Sequence, residues 1–202
     1  MADSVAMRSL RSEFARLREE NQDLRDELSL LRSSVHALGV LQTLIEHLSP
    51  DIDMIKWIDD LLISALAAVS AKDGSLILLD EESGEMVFAV VQGEARDRLT
   101  GFRMSPGEGV AGWVVENKKP QIVQDPRNDP RFSPNVDDML GFRTRSLACV
   151  PLIHEDRVLG VIEAINKISD REFTLQDQDL MMLVAYLTSQ GISRAESFVD
   201  KP

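Results

Sequence analysis

Leucine returns at every seventh position through Leu10, Leu17, Leu24, Leu31 and Leu38, and the interleaved positions are Met7, Phe14, Asn21, Leu28 and Val35. The apolar spacing therefore alternates between three and four residues, the 3.5-residue period of a left-handed coiled coil with leucine at every d position. A helix cannot bury such a stripe against itself. With this register the e positions are Arg11, Arg18, Arg25 and Arg32, and the g positions are Glu13, Glu20 and Glu27. In a parallel pair each g residue meets the e residue five places on in the other chain, which matches Glu13 with Arg18, Glu20 with Arg25 and Glu27 with Arg32. An antiparallel pair would set glutamate against glutamate and arginine against arginine. The expected partner is thus a second copy, as a parallel homodimer. Each exposed pair contributes about 0.2–1 kcal/mol, so the charges choose orientation while the leucine seam supplies most of the stability. Asn21 at an a position weakens the seam but can pair with its own copy and set register; the alternative is a tolerated polar residue.

After Leu38 the frame fails. Gln42 stands where an apolar residue is due, and Leu41, Leu44, Ile45 and Leu48 carry the pattern instead. This slip near Gly39 is read as the junction where residues 1–38, a coiled-coil dimerisation helix, pass without a flexible linker into a globular domain over 39–198, with 199–202 as a tail. Net charge is −12, of which residues 1–48 account for −2, so nucleic acid is not an expected partner of the acidic globular part. One cysteine, Cys149, cannot form an intrachain disulfide. No apolar run approaches a membrane span, and the N-terminus lacks a signal-like core, so a cytoplasmic location without membrane contact is expected.

Pro50 is expected to break the long helix, and Asp53 to open a second one along Ile55, Ile58, Leu62, Ala65 and Val69, ending near Lys72-Asp73-Gly74. Two strands, Ser75–Leu79 and Met86–Val91, flank a turn and make a hairpin. A glycine-rich stretch, Pro106 to Trp113, leads into a short helix and then a strand at Gln121–Val123. Pro126, Pro130 and Pro134 mark residues 125–134 as a surface cover. A second hairpin is expected from Ser146–Ile153 and Arg157–Asn166 around His154-Glu155-Asp156, and a last helix from Thr174 toward Phe198. Strand pairs with helices before and after them make an α+β domain with an antiparallel sheet.

The segments Gly107-Glu108-Gly109-Val110-Ala111-Gly112-Trp113, Asp129-Pro130-Arg131-Phe132, Gly141-Phe142-Arg143-Thr144-Arg145, Cys149-Val150-Pro151-Leu152 and Gly160 to Lys167 together resemble a GAF domain over roughly residues 40–198. They are most similar to the regulatory GAF domains of cyclic-nucleotide phosphodiesterases and adenylyl cyclases. The resemblance implies a bacterial-type signalling regulator that senses a small molecule such as cAMP or cGMP and transmits its state through dimer helices to a downstream effector protein. Ligand-facing places fall on Ser75, Val91, Gln92, Val110, Ala111, Asp137, Leu140, Thr144 and Glu163. Val91 stands where the family's phosphodiesterases place a base-stacking aromatic, Gln92 where they place an acid and Leu140 where they place a threonine. No cofactor is required; a bound cyclic nucleotide or other small anion is expected, with the N–H groups of Val110 and Ala111 as donors. Glu163 and Asp137 would accept from ligand, unless Glu163 pairs with Arg143 or Arg145.

The family's Asn-Lys, Phe, Asp-Glu signature is matched by Asn166, Lys167, Phe173 and Asp177, with Gln178 replacing the glutamate. It implies a Lys167–Asp177 ion pair supporting the pocket from behind; Asp177 reads equally as the N3 partner of a Thr174 cap. Catalysis is not expected. His36, His47 and His154 do not cluster as metal ligands, and the glycines form no Walker or Rossmann fingerprint. Methionine-sulfoxide reduction, known in some GAF domains, needs a second thiol to resolve the first. A ligand-free interaction and dimerisation module is the alternative.

Overall fold

A computed structural model describes residues 2–46, 53–168 and 171–199. Helix α1 runs from Ala2 to Glu46, continuous through Gly39. It is followed by α2 (Met54–Ala68), β1 (Ala71–Leu79), β2 (Met86–Gln92), α3 (Arg96–Leu99), β3 (Arg103–Met104), α4 (Gly109–Asn117), β4 (Gln121–Val123), a 3-10 turn at Pro126–Asn128, α5 (Asn135–Leu140), β5 (Leu147–His154), β6 (Arg157–Lys167) and α6 (Leu175–Val199). The expected break at Pro50, His47, and the tail beyond 199 lie outside the described residues, as do the side chains of His36 and Leu38.

The strands form one six-stranded sheet in the order β3-β2-β1-β6-β5-β4, with every neighbouring pair antiparallel. Alternation along each strand divides its side chains between two cores. Leu76, Val150 and Ile162 join Trp57, Leu61 and Leu62 of α2 and Met181 and Val184 of α6 on one face. Ile77, Cys149 and Val161 join Val110 and Val114 of α4 on the other. In β2 the alternation breaks: Leu76 faces Val90 and Ile77 faces Phe88, leaving Ala89 as an extra residue. This bulge puts Phe88 and Val91, three apart, into the same second core.

Asp53 caps α2 by accepting the Lys56 N–H, as its type and place predict. The helix ends earlier than expected. Ser70 takes a left-handed turn at φ 55°, and Ala71 and Asp73 already pair with Lys167 and Ile165 of β6, so the stretch expected to finish the helix is strand. Ile55, expected inside, is 59% exposed, while Trp57 and Leu61 fill the core. Short α3 and β3 have no counterpart in the sequence reading.

Helix α6 crosses α2 at Gly191, where an added Cβ would lie 1.9 Å from the Trp57 ring. Gly191→Ala should overpack this crossing and cost about 1–3 kcal/mol. Gly39→Ala, a helical glycine with nothing within 4 Å, should instead gain up to about 1 kcal/mol. Thermal unfolding of the two variants side by side checks both signs.

Along α1 the a and d side chains Met7, Leu10, Phe14, Leu17, Leu24, Leu28, Leu31 and Val35 are 48–69% exposed in the single chain. Asn21 is exposed among them. Glu13 pairs with Arg16 at 2.6 Å, and the Arg18 guanidinium sits 5.0 Å over the Phe14 ring.

Candidate functional site

A cavity of about 80 Å³ lies on the α4 face of the sheet. All nine sequence-named residues line it: Ser75, Val91, Gln92, Val110, Ala111, Asp137, Leu140, Thr144 and Glu163. Residues that sequence reasoning missed complete it, notably Phe88, Leu99, Met104, Phe132 and Phe142. The base-stacking place is aliphatic at Val91, yet three phenylalanine rings reach the cavity from other positions. Phe88 arrives through the β2 bulge, which leaves no mark in local composition.

The glycine-rich loop forms one wall. Gly107 and Gly109 adopt φ near 72° and 74°, and a Cβ on Gly112 would lie 2.2 Å from the Gly107 carbonyl carbon, so the loop folds tightly onto the start of α4. The Gly112 N–H bonds the Glu108 carbonyl, and the preceding amides of Val110 and Ala111 begin the helix at the cavity. The Glu108 carboxylate accepts from Ser133 Oγ at 2.8 Å, Asn135 Nδ2 at 3.0 Å and the Ser105 N–H at 3.3 Å. Those bonds, led by the Ser133 hydroxyl, hold its pKa below the ordinary carboxylate value.

Asp137 of α5 is 4% exposed and accepts from the Thr144 N–H at 2.8 Å and the Thr144 hydroxyl at 2.7 Å, with Arg127 at 3.4 Å. Both residues were expected to address ligand. Here they address each other, and the pair latches the cover helix to the segment leading into β5. Asn166 fixes that segment from beneath: at φ 54° its side chain accepts the Arg145 N–H at 2.8 Å and donates to the Arg143 carbonyl at 3.0 Å. Gln92, expected to face ligand, lines the cavity while its amide donates to Asp59 of α2.

Arg96 of α3 bonds the same Asp59 at 2.9 Å, and Arg98 donates to the Leu140 and Met139 carbonyls at the end of α5, at 2.9 and 2.7 Å. The cover helix, the cavity wall and α2 are thus joined by three side chains. Behind the cavity, Lys167 and Asp177 are 2.7 Å apart, 8% and 2% exposed. Asp177 also accepts the Thr174 N–H, while Thr174 Oγ1 accepts the Asp177 N–H, so ion pair and cap coexist. The Lys167 ammonium lies 5.7 Å over the buried Phe173 ring.

Glu163 of β6 lines the cavity from the sheet, beside Ser75 and Asp73 of β1. Its Oε2 accepts the Ser75 hydroxyl at 3.0 Å, not a guanidinium from Arg143 or Arg145. Burial pushes its pKa above the ordinary glutamate value, partly offset by the Ser75 hydroxyl and the Cys149 thiol. Cys149, opposite it on β5, is fully buried, and desolvation followed by the Glu163 charge drives its thiol pKa well up, which disfavours a nucleophilic thiolate. Among the described residues no cluster of three or more His, Cys, Asp or Glu is placed to hold a metal ion.

A family model described as GAF domain matches residues 53–192. The dual 3',5'-cyclic-AMP and -GMP phosphodiesterase 11A of Takifugu rubripes is 27% identical over 168 residues, which span 77% of this chain and 18% of that relative. The chain therefore corresponds to less than a fifth of that enzyme's length. Among solved structures, the GAF domain from a phosphoenolpyruvate-protein phosphotransferase of Coxiella burnetii superposes with TM-score 0.69 at 20% identity, covering 81% of this chain and 96% of that one. Free methionine-R-sulfoxide reductase from Neisseria meningitidis, in complex with its substrate, gives 0.64 at 20% identity over 81% and 92%.

Proposed function

The chain belongs to the GAF domain family of regulatory and signalling modules, and from that premise we propose that it senses a small molecule in the cavity under α5 and reports occupancy through a parallel dimer of α1 helices. The observation that carries this reading is the convergence of nine residues from both ends of the domain on one cavity whose cover is latched by hydrogen bonds. Occupancy acts on the helices only if ligand binds one pose of the cover better than another. The bonds from Arg98 to α5, and from Arg96 and Gln92 to Asp59, give a displaced cover a direct hold on α2, which packs against α1.

We read the module as non-catalytic, with its output passed to an effector protein in the cytoplasm. The buried Cys149 supports this, because desolvation raises its thiol pKa and disfavours a nucleophilic thiolate. No helix of the described residues is long and apolar enough to cross a membrane. Cyclic nucleotides are the first compounds to test, since a relative is named for acting on cAMP and cGMP.

Titration calorimetry and thermal shift against cAMP, cGMP and a metabolite panel should reveal one compound with saturable heat. At a hundred times its dissociation constant that compound should stabilise the protein by about 2.7 kcal/mol. Silence across the panel removes the sensing reading. It would leave a ligand-free interaction and dimerisation module, which the aliphatic Val91 and Leu140 and the engagement of Gln92 with Asp59 favour; capture of a specific partner, lost on deleting residues 1–38, would then support it.

A further inference from the structure

The acids on the cavity wall are not equivalent. Asp137 has the Arg127 guanidinium and two donors from Thr144, and Asp73 has the Glu94 N–H at 3.2 Å. Glu163 has the Ser75 hydroxyl, with the Cys149 thiol beside it, and no ion pair of the described residues includes it. Phe88, Val91, Leu99, Leu140 and Phe142 line the same cavity. A carboxyl desolvated in such surroundings without a cation is a cost to the fold, and a ligand that brings the missing positive charge relieves it.

Size narrows the ligand further. The cavity, about 80 Å³, is small beside the roughly 300–1,000 Å³ typical of sites for larger organic ligands, which favours a short ligand body.

Resting on the reading that this cavity is a ligand site, we propose that it takes a compact organic ammonium compound, whose N–H donors meet the Glu163 carboxylate and whose short hydrocarbon body lies against Phe88, Val91 and Leu140. The binding energy is divided between these parts. The apolar wall recognises shape and Glu163, the acid without a cation, recognises charge, so a neutral molecule of the same outline gains the first and forfeits the second. Two sources share this chemistry: a simple alkyl amine and a free apolar amino acid. The amino acid adds a carboxylate, for which the opening amides of α4 at Val110 and Ala111 are donors.

The test uses the full chain with isoamylamine, isoamyl alcohol, leucine and cAMP in titration calorimetry and thermal shift. Isoamylamine or leucine should bind, and the alcohol should bind roughly a hundredfold more weakly than the amine where the amine binds. Leucine alone among the four would assign the site to amino acids; the amine alone would assign it to amines. Glu163→Gln should keep the fold, because an uncharged amide replaces a poorly solvated acid, and should weaken the ammonium ligand by a similar factor. The comparison of amine with alcohol on the unaltered protein stands even where that variant misfolds.

Equal binding of amine and alcohol overturns the proposal. So does binding of cAMP, or of any neutral or anionic member of a wider metabolite panel, with amine and leucine silent; the cavity then remains a sensor of another ligand class. Silence of every compound overturns the sensing reading as well.

Discussion

Asp177→Ala should lower the unfolding free energy by about 3–5 kcal/mol, a large part of what a domain of this size possesses. The carboxylate is 2% exposed and holds the Lys167 ammonium at 2.7 Å, the Thr174 N–H at 2.7 Å and the Thr174 hydroxyl at 2.9 Å. Its loss leaves an ammonium buried without a counter-charge at the point where the end of β6 is tied to the start of α6. Lys167→Met should also destabilise, by stranding the acid. The double variant Lys167→Met/Asp177→Leu should recover much of the loss, because replacing both charges by apolar groups removes the desolvation cost along with the attraction. Denaturant unfolding of the four proteins measures the coupling. Additive losses would mean that the pair contributes nothing beyond its separate contacts.

On the proposed parallel dimer, Leu17→Glu together with Leu24→Glu should leave the protein monomeric. Both leucines are about half exposed in the single chain, at 50% and 57%, and a second helix is what would cover them. Burying a leucine contributes about 1.5–3 kcal/mol, and the symmetric pair loses four of them, so association should weaken by roughly four orders of magnitude or more. Sedimentation equilibrium reads the change directly, and thermal unfolding should show the sheet domain intact. A monomeric unaltered protein, or a variant that remains dimeric, would remove the stalk from the proposed mechanism. Orientation has its own test. A disulfide from Asn21→Cys should form between copies in a parallel pair, where an a-position residue faces its own counterpart across the seam.

Local chemistry was legible where neighbouring residues settle the outcome. Asp53 capping α2 and Thr174 with Asp177 opening α6 need only three or four residues to be recognised, and the structure has both. The short apolar runs of β5 and β6 announce strands, and the fold sends their alternate residues into two cores. Resemblance of motifs then named nine positions that the fold collects on a single cavity.

What stayed hidden depended on partners distant along the chain. Ala71 to Gly74 looked like the end of a helix and became strand, because β6, some 90 residues on, offers them a hydrogen-bonded edge. Thr144 and Asp137 both looked like groups for a ligand; only once α5 is laid over the sheet do they also bond each other at the cavity. The Ala89 bulge, and with it the phenylalanine in the cavity, exists because β1 and β2 keep register on both sides of one surplus residue.

The amino-acid sequence by itself determined the heptad seam with its sorted charges, the helix caps, the apolar runs of the strands and the kinds of residue brought to the cavity, since these follow from spacing and side-chain chemistry along a few turns of chain. Tertiary structure alone decided which acid is satisfied and which is left facing the cavity. Asp137 is met by Thr144 and Arg127, whereas Glu163, between β1 and β5, has only a hydroxyl and a thiol within reach. The physical reason is that a buried charge takes its partner from whatever the packed elements place within about 3 Å, and that distance is set by the order of strands in the sheet, not by separation along the chain.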